Sequence, residues 1–175
     1  AWELDMVKAD SCHRPDNITT VEAYTQLSQA LNNTGRSMVI TMCEWGNDEV
    51  WNWAPDIAQM YRISMDHLPF FHWPATASGA GYGCGTAEII DWMADLHPSK
   101  YVKPYTWMDP DFLETLFPIT MNYVHSRTEF TFWTVGPKMP YYALKWHGIS
   151  RLFLIFMCVD VECSVVGGHR CVRAL

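Results

Sequence analysis

Three strand-like stretches within the first 66 residues each close on a carboxylate: MVKAD ends at Asp10, ITMCE at Glu44 and YRISMD at Asp66. Helix-like segments lie between them. TTVEAYTQLSQALNNTG offers Thr19 or Thr20 as a cap, helical spacing at Val21, Tyr24, Leu27 and Leu31, and Gly35 as a stop. VWNWAPDIAQM reads as helical in part despite Pro55. Strands alternating with helices predict an α/β fold with a parallel sheet, either an open doubly wound sheet or part of a (β/α) barrel. Further along, Leu68 to Gly85 is rich in Pro, Gly and aromatic residues and reads as a long loop, and TAEIIDWMADL spells an amphipathic helix from Thr86 to Leu96. YVKPYTW is a short candidate strand before the turn MDPDF, Asn122 to Val135 is a further helix, and PYYAL is a candidate strand after it.

Composition narrows the function classes. The net charge of −7, with twelve Lys and Arg spread along the chain, argues against nucleic acid, which needs clustered cations. The longest apolar run, LFLIFMCV at Leu152 to Val159, falls well short of the roughly 20 residues that span a bilayer, so no membrane segment is expected. The chain opens on Ala1 without a basic-then-apolar leader, and its beginning reads as cut. Aromatic residues make up 14%, which suits a carbohydrate or small-molecule cleft, although such residues more often fill cores. Six cysteines (Cys12, Cys43, Cys84, Cys158, Cys163 and Cys171) serve equally as disulfides, thiols or ligands, and the sequence does not choose their pairing. The sequons at Asn17 and Asn32 tip the balance toward glycosylation and an oxidising, secreted context. Cys158, Cys163, His169 and Cys171 match no common zinc spacing, so no metal is expected. Nothing in the residues bears on oligomeric state.

Any one strand-end acid is more simply a helix cap or a turn residue. Their recurrence, with Asp109 and Asp111 in a fourth segment, reverses that preference, because catalytic groups of a (β/α) barrel converge from the C-terminal ends of several strands. Two carboxylates across a cleft are the minimal equipment of glycoside hydrolysis. Lys8 shares a strand face with Asp10, about 7 Å along the chain, and favours the ionised form, so Asp10 is the better nucleophile. If YRISMD is extended throughout, Arg62 and Asp66 lie about 13 Å apart, beyond a Debye length of roughly 8–10 Å. Arg62 then leaves Asp66 able to keep its proton, and it contacts substrate hydroxyls or Glu44; a structural ion pair is an equal alternative on spacing alone.

These residues also resemble a known family. WELDMVKADSC, LNNTGRSMVITMCEWG, YRISMD, WMDPDF and SRTEFTFWTV are similar, in order and spacing, to blocks of glycoside hydrolase family 27, the α-galactosidases or melibiases. The resemblance covers Trp2 to Leu144. It implies a partial (β/α)8 TIM barrel, roughly strands 4 to 8, without the first three strands and without the family's C-terminal β-sandwich. Residues 1–145 would form this partial barrel, and 146–175 a divergent tail. It implies Asp10 as nucleophile and Asp66 as acid/base, with Lys8, Glu44 and Arg62 at positions that bind sugar hydroxyls and Trp45, Asp109 and Asp111 nearby. Cys12 and Cys43 match a family disulfide.

The activity implied is retaining hydrolysis of terminal α-linked galactose from oligosaccharides, galactomannans or glycoconjugates, with a carbohydrate as partner and no cofactor. The alternatives are an α-N-acetylgalactosaminidase or other α-glycosidase of the family, or an inactive carbohydrate-binding fragment. Met108, Met65 and Tyr105-Thr106 depart from the family pattern, the last pair standing where Gly-Gly is usual, and they mark a divergent subgroup.

Overall fold

The computed structural model describes residues 4–74, 83–116 and 119–135. Its elements in chain order are β1 (Met6–Asp10), α1 (Thr20–Asn32), β2 (Val39–Cys43), β3 (Met60–Arg62), β4 (Asp66–His67), β5 (Gly83–Cys84), α2 (Thr86–Leu96), β6 (Trp107–Asp109) and α3 (Tyr123–Val135). β1, β2, β3 and β6 form one parallel sheet in that order, as successive β/α units require, and β4 pairs with β5 in a separate parallel ladder. Strands 4 to 8 of a barrel would be five. Four lie in this sheet; PYYAL falls outside the described residues, as do the tail and Cys158, Cys163, His169 and Cys171.

The pleat sorts the strand residues onto two faces. Ala9 lies level with Met42, Met42 with Tyr61, and Tyr61 with Met108. All four are buried, in one core with Tyr24 of α1, Ile89 and Met93 of α2 and Trp133 of α3. Burying Ile89 or Met93 contributes about 1.5–3 kcal/mol each. The Tyr24 hydroxyl lies 3.1 Å from the Ala9 carbonyl and 3.3 Å from that of Cys43, which ties α1 to the ends of β1 and β2.

Local signals set the helix bounds. Thr19 caps α1 in a reciprocal capping box with Glu22, each satisfying a backbone N–H that the first turn would leave unpaired. Glu88 performs the same service at Gly85 and also accepts from the Trp73 N–H. Around Pro55 the chain makes only short 3₁₀ turns, at Asn47–Asn52 and Ala54–Asp56. Gly46 introduces them with φ +81°, and a Cβ there would collide with the Ile63 carbonyl.

Two expected strands differ. YRISMD is not extended throughout: β3 stops at Arg62 and Asp66 opens β4 after a turn. YVKPYTW is not a strand either. It contains a turn at Lys103–Thr106, closed by Thr106 on Lys103 in both directions, and the sheet takes Trp107–Asp109 instead. Tyr105 in that turn has φ +68°, the left-handed region that favours glycine, at the place where the resemblance expects Gly-Gly.

Candidate active site

The other face of the sheet carries the chemistry. Asp10 lies level with Cys43, and Arg62 with Asp109; one step before them Met42 lies level with Tyr61, so these residues form a single row across the C-terminal ends of β1, β2, β3 and β6. Lys8 sits two residues below Asp10 on the same face. Burial pushes the Cys43 thiol well above the usual range, so it keeps its proton beside Asp10, its neighbour in the β1–β2 register. Arg62 Nη1 lies 3.6 Å from Cys43 Sγ, and Nη2 reaches Asp66 Oδ1 at 3.4 Å. Asp10 thus neighbours Cys43 across the β1–β2 register, and side-chain contacts run from Cys43 through Arg62 to Asp66. The Asp66 side chain is 57% exposed, open to a substrate.

This overturns the expectation that Arg62 stands apart from Asp66. The estimate of about 13 Å assumed an extended strand, and the turn at Ile63–Met65 folds the acid back over the guanidinium. Nor does Arg62 reach Glu44. It is 1% exposed, donates to the carbonyls of Ser64 and Met65 at 3.2 and 2.9 Å, and pairs with Asp111 Oδ2 at 2.8 Å. Burial alone would lower its pKa, but Asp111, Asp109, Cys43 and Asp66 together raise it.

The remaining predicted residues divide by what already holds them. Asp111, at φ +82°, has both oxygens engaged: Oδ2 accepts from Arg62 and from the His67 N–H (2.9 Å), and Oδ1 from the Phe112 N–H (2.8 Å). In this structure those oxygens are thus engaged by the protein itself. Asp109 is buried, and desolvation raises its pKa against the pull of Arg62; the neighbouring Asp111 raises it further. Its Oδ1 accepts from the Asp111 N–H at 2.9 Å. Lys8 places its ammonium 4.8 Å from the centroid of the Phe112 ring, a cation–π contact.

Glu44 is buried at the end of β2 with Oε2 unpartnered, and burial pushes it up to about 7, opposed by a hydrogen bond from Ser11. Trp45 follows at φ +54° and is half-buried. The disulfide between Cys12 and Cys43 implied by the resemblance is not formed in this structure. Asn17 and Asn32 are both exposed.

Sequence reasoning missed a second polar cluster behind this row. His67, which burial holds neutral, donates from Nδ1 to the Phe112 carbonyl at 2.7 Å and has Nε2 3.2 Å from the Thr86 hydroxyl. Glu129 Oε1 lies 3.6 Å from the same Nδ1 and accepts from the Glu114 N–H at 2.6 Å. Burial raises Glu129 to about 7. A signal existed: Ser126, Glu129 and Trp133 have one-face helical spacing, and they are the buried stripe of α3, while Tyr123, Val124, Phe130 and Phe132 face outward. A groove of about 390 Å³ along that outer face, lined by Tyr123, Val124, Arg127, Thr128, Thr131 and Phe132, contains none of the strand-end acids. Among the described residues no cluster of His, Cys, Asp and Glu is placed to hold a metal, and no helix is long and apolar enough to cross a membrane.

Comparison with known proteins agrees with this fold. A family model described as Alpha galactosidase A matches residues 1–140. Alpha-galactosidase A of Cellvibrio japonicus is 32% identical over 133 residues, covering 76% of this chain and 31% of its own length. Alpha-galactosidase mel1 of Schizosaccharomyces pombe is 32% identical over 147 residues, covering 77% and 33%. The chain thus spans about a third of the length of the curated relatives it matches. Among solved structures, alpha-galactosidase I from Mortierella vinacea superposes with a TM-score of 0.65 at 31% identity, over 74% of this chain and 35% of that one. The Saccharomyces cerevisiae enzyme with raffinose gives 0.65 at 26%, over 75% and 31%.

Proposed function

Because the chain belongs to the alpha-galactosidase A family, we propose that it carries the nucleophile and the acid/base of a retaining α-galactosidase, acting on terminal α-linked galactose of oligosaccharides, galactomannans or glycoconjugates. The observation that carries this reading is that Asp10 stands beside Cys43 in the register, and Cys43 contacts Arg62, which reaches Asp66, so that both acids lie near one rim of the sheet. Asp10 attacks the anomeric carbon while Asp66 protonates the departing oxygen; water then enters, deprotonated by Asp66, and releases the sugar. Retention requires the two carboxyl groups about 5–5.5 Å apart with sugar between them. Lys8, Glu44, Trp45 and Asp109 supply the sugar contacts. The unpartnered oxygen of Glu44 is an acceptor with no protein donor, which a sugar hydroxyl satisfies. The chemistry needs no metal or organic cofactor.

The exposed sequons Asn17 and Asn32 support a secreted glycoprotein, and a mass loss on enzymatic deglycosylation checks it. The activity is tested with nitrophenyl α-galactoside and the variant Asp10→Asn, which lowers kcat by about 10³-fold or more if Asp10 is the nucleophile. Hydrolysis unchanged by that substitution defeats the assignment.

A further inference from the structure

Asp66 lies on a short segment between Arg62, the last residue of β3, and His67, the last of β4. One carboxylate oxygen grips both ends of that segment. Asp111 Oδ2 takes Arg62 Nη2 at 2.8 Å and the His67 backbone N–H at 2.9 Å. Oδ1 closes on the Phe112 N–H at 2.8 Å, and the Asp111 carbonyl accepts from the Trp133 indole N–H at 2.8 Å, which moors the residue to α3. Arg62 in turn holds the Ser64 and Met65 carbonyls, within the same segment. The loop bearing Asp66 is thus tied through Arg62 or Asp111 at residues 62, 64, 65 and 67, beside the Ile63 backbone bonds to the Asp109 carbonyl and the Trp92 indole and the β4–β5 ladder.

We propose that Asp111 is a positioning residue for Asp66, acting through Arg62 and the His67 amide rather than by touching sugar. The inference rests on the reading of Asp66 as the acid/base. General acid catalysis demands hydrogen-bond reach to the leaving oxygen, and an exposed carboxyl on a short turn reaches it reproducibly only if the turn is held. The charge pattern fits this role. Arg62 is faced by Cys43 of β2, Asp109 of β6, Asp66 of β4 and Asp111, and it lies closer to Asp111 (2.8 Å) than to Asp66 (3.4 Å). Lys8 acts on Asp109, His67 and Glu114 lie near Asp111, Cys84 of β5 near Asp66, and Glu129 reaches the ring of His67 and the Glu114 N–H. The guanidinium is therefore fixed by the buried acid, and Asp66 stays within reach of it while open to solvent.

The test uses Asp111→Asn, whose side chain tolerates φ +82° but sets one amide N–H₂ against donors that now find carboxylate oxygens. Hydrogen exchange of the His67 amide is expected to quicken at least tenfold, with the amides of Met6–Asp10 unchanged; unaltered exchange at His67 overturns the proposal. In hydrolysis, kcat/KM on methyl α-galactoside is expected to fall at least tenfold further than on a dinitrophenyl α-galactoside, whose leaving group needs little protonation, with KM little changed. Equal losses on both substrates with a raised KM would make Asp111 a sugar contact and overturn the proposal. A wild-type chain that turns over neither substrate defeats the assignment of function instead, and the His67 exchange then decides the role of Asp111 by itself.

Discussion

Glu44 and Asp111 are both buried carboxylates near the C-terminal rim of the same sheet, and they are held in opposite ways. Asp111 has a guanidinium and two backbone N–H groups on its two oxygens. Glu44 has a hydrogen bond from Ser11, Asp48 nearby as a like charge, and one oxygen with no partner at all. Burial costs a charge heavily unless it is paired and hydrogen-bonded. The β3–β6 side of the rim therefore serves the fold as well as the proposed chemistry, while the β1–β2 side keeps at Glu44 a polar group whose satisfaction must come from elsewhere. Among acids at strand ends, occupancy of the oxygens separates a structural clamp from a group available to a ligand.

The largest expected effect breaks the clamp. Asp111→Ala leaves Arg62 buried without its nearest anion and orphans the His67 and Phe112 amides, and it should destabilise by about 3–5 kcal/mol in urea unfolding. A loss under 1 kcal/mol would mean that Asp109 and Asp66 hold Arg62 unaided.

Glu44→Gln should have the opposite sign. Its folded pKa of about 7 lies above the ordinary carboxylate value of 4.5, so between those pH values the folded chain keeps a proton that the unfolded chain releases. Stability contributed by this group is thus undiminished below pH 4.5 and falls as pH rises to 7. At pH 8 the Gln variant should be more stable by on the order of 2 kcal/mol, and at pH 4 about equal to the parent. Stability that drops at pH 8 on this change would show Glu44 to be paired like Asp111. Glu129→Gln carries the same sign and pH window for the same reason, with a gain of the same order, since burial raises it equally against one hydrogen bond from the Glu114 amide.

A smaller change tests a departure from the family pattern. Tyr105→Gly should relieve the left-handed backbone and raise stability by about 1 kcal/mol, read as a shift in thermal midpoint. The exposed pair of Arg36 and Asp5 provides the lower bound: Arg36→Ala should move stability by less than about 1 kcal/mol, and less still in high salt.

Periodicity and end signals were enough to locate α1 with its Thr19 cap, α2 at Thr86–Leu96, and β1 and β2 with Asp10 and Glu44 at their ends. These are properties of residues within a few positions of one another, where side-chain spacing and capping chemistry act directly. YRISMD misled because hydrophobic alternation does not record where a short strand stops. From that came the misplaced distance between Arg62 and Asp66. The inward stripe of α3 misled in another way, since Ser126 and Glu129 are polar and the helix leaves its larger apolar side chains outside.

From the sequence alone came the order of strands and helices, the acids at their ends and, through resemblance, the family. The tertiary structure decided which of those acids are already occupied. Asp111 meets the His67 amide across 44 residues of chain, and Cys43 stands level with Asp10 only because β1 and β2 pair in one register. A carboxylate's role depends on its desolvation and on the donors brought to it, and long-range packing sets both.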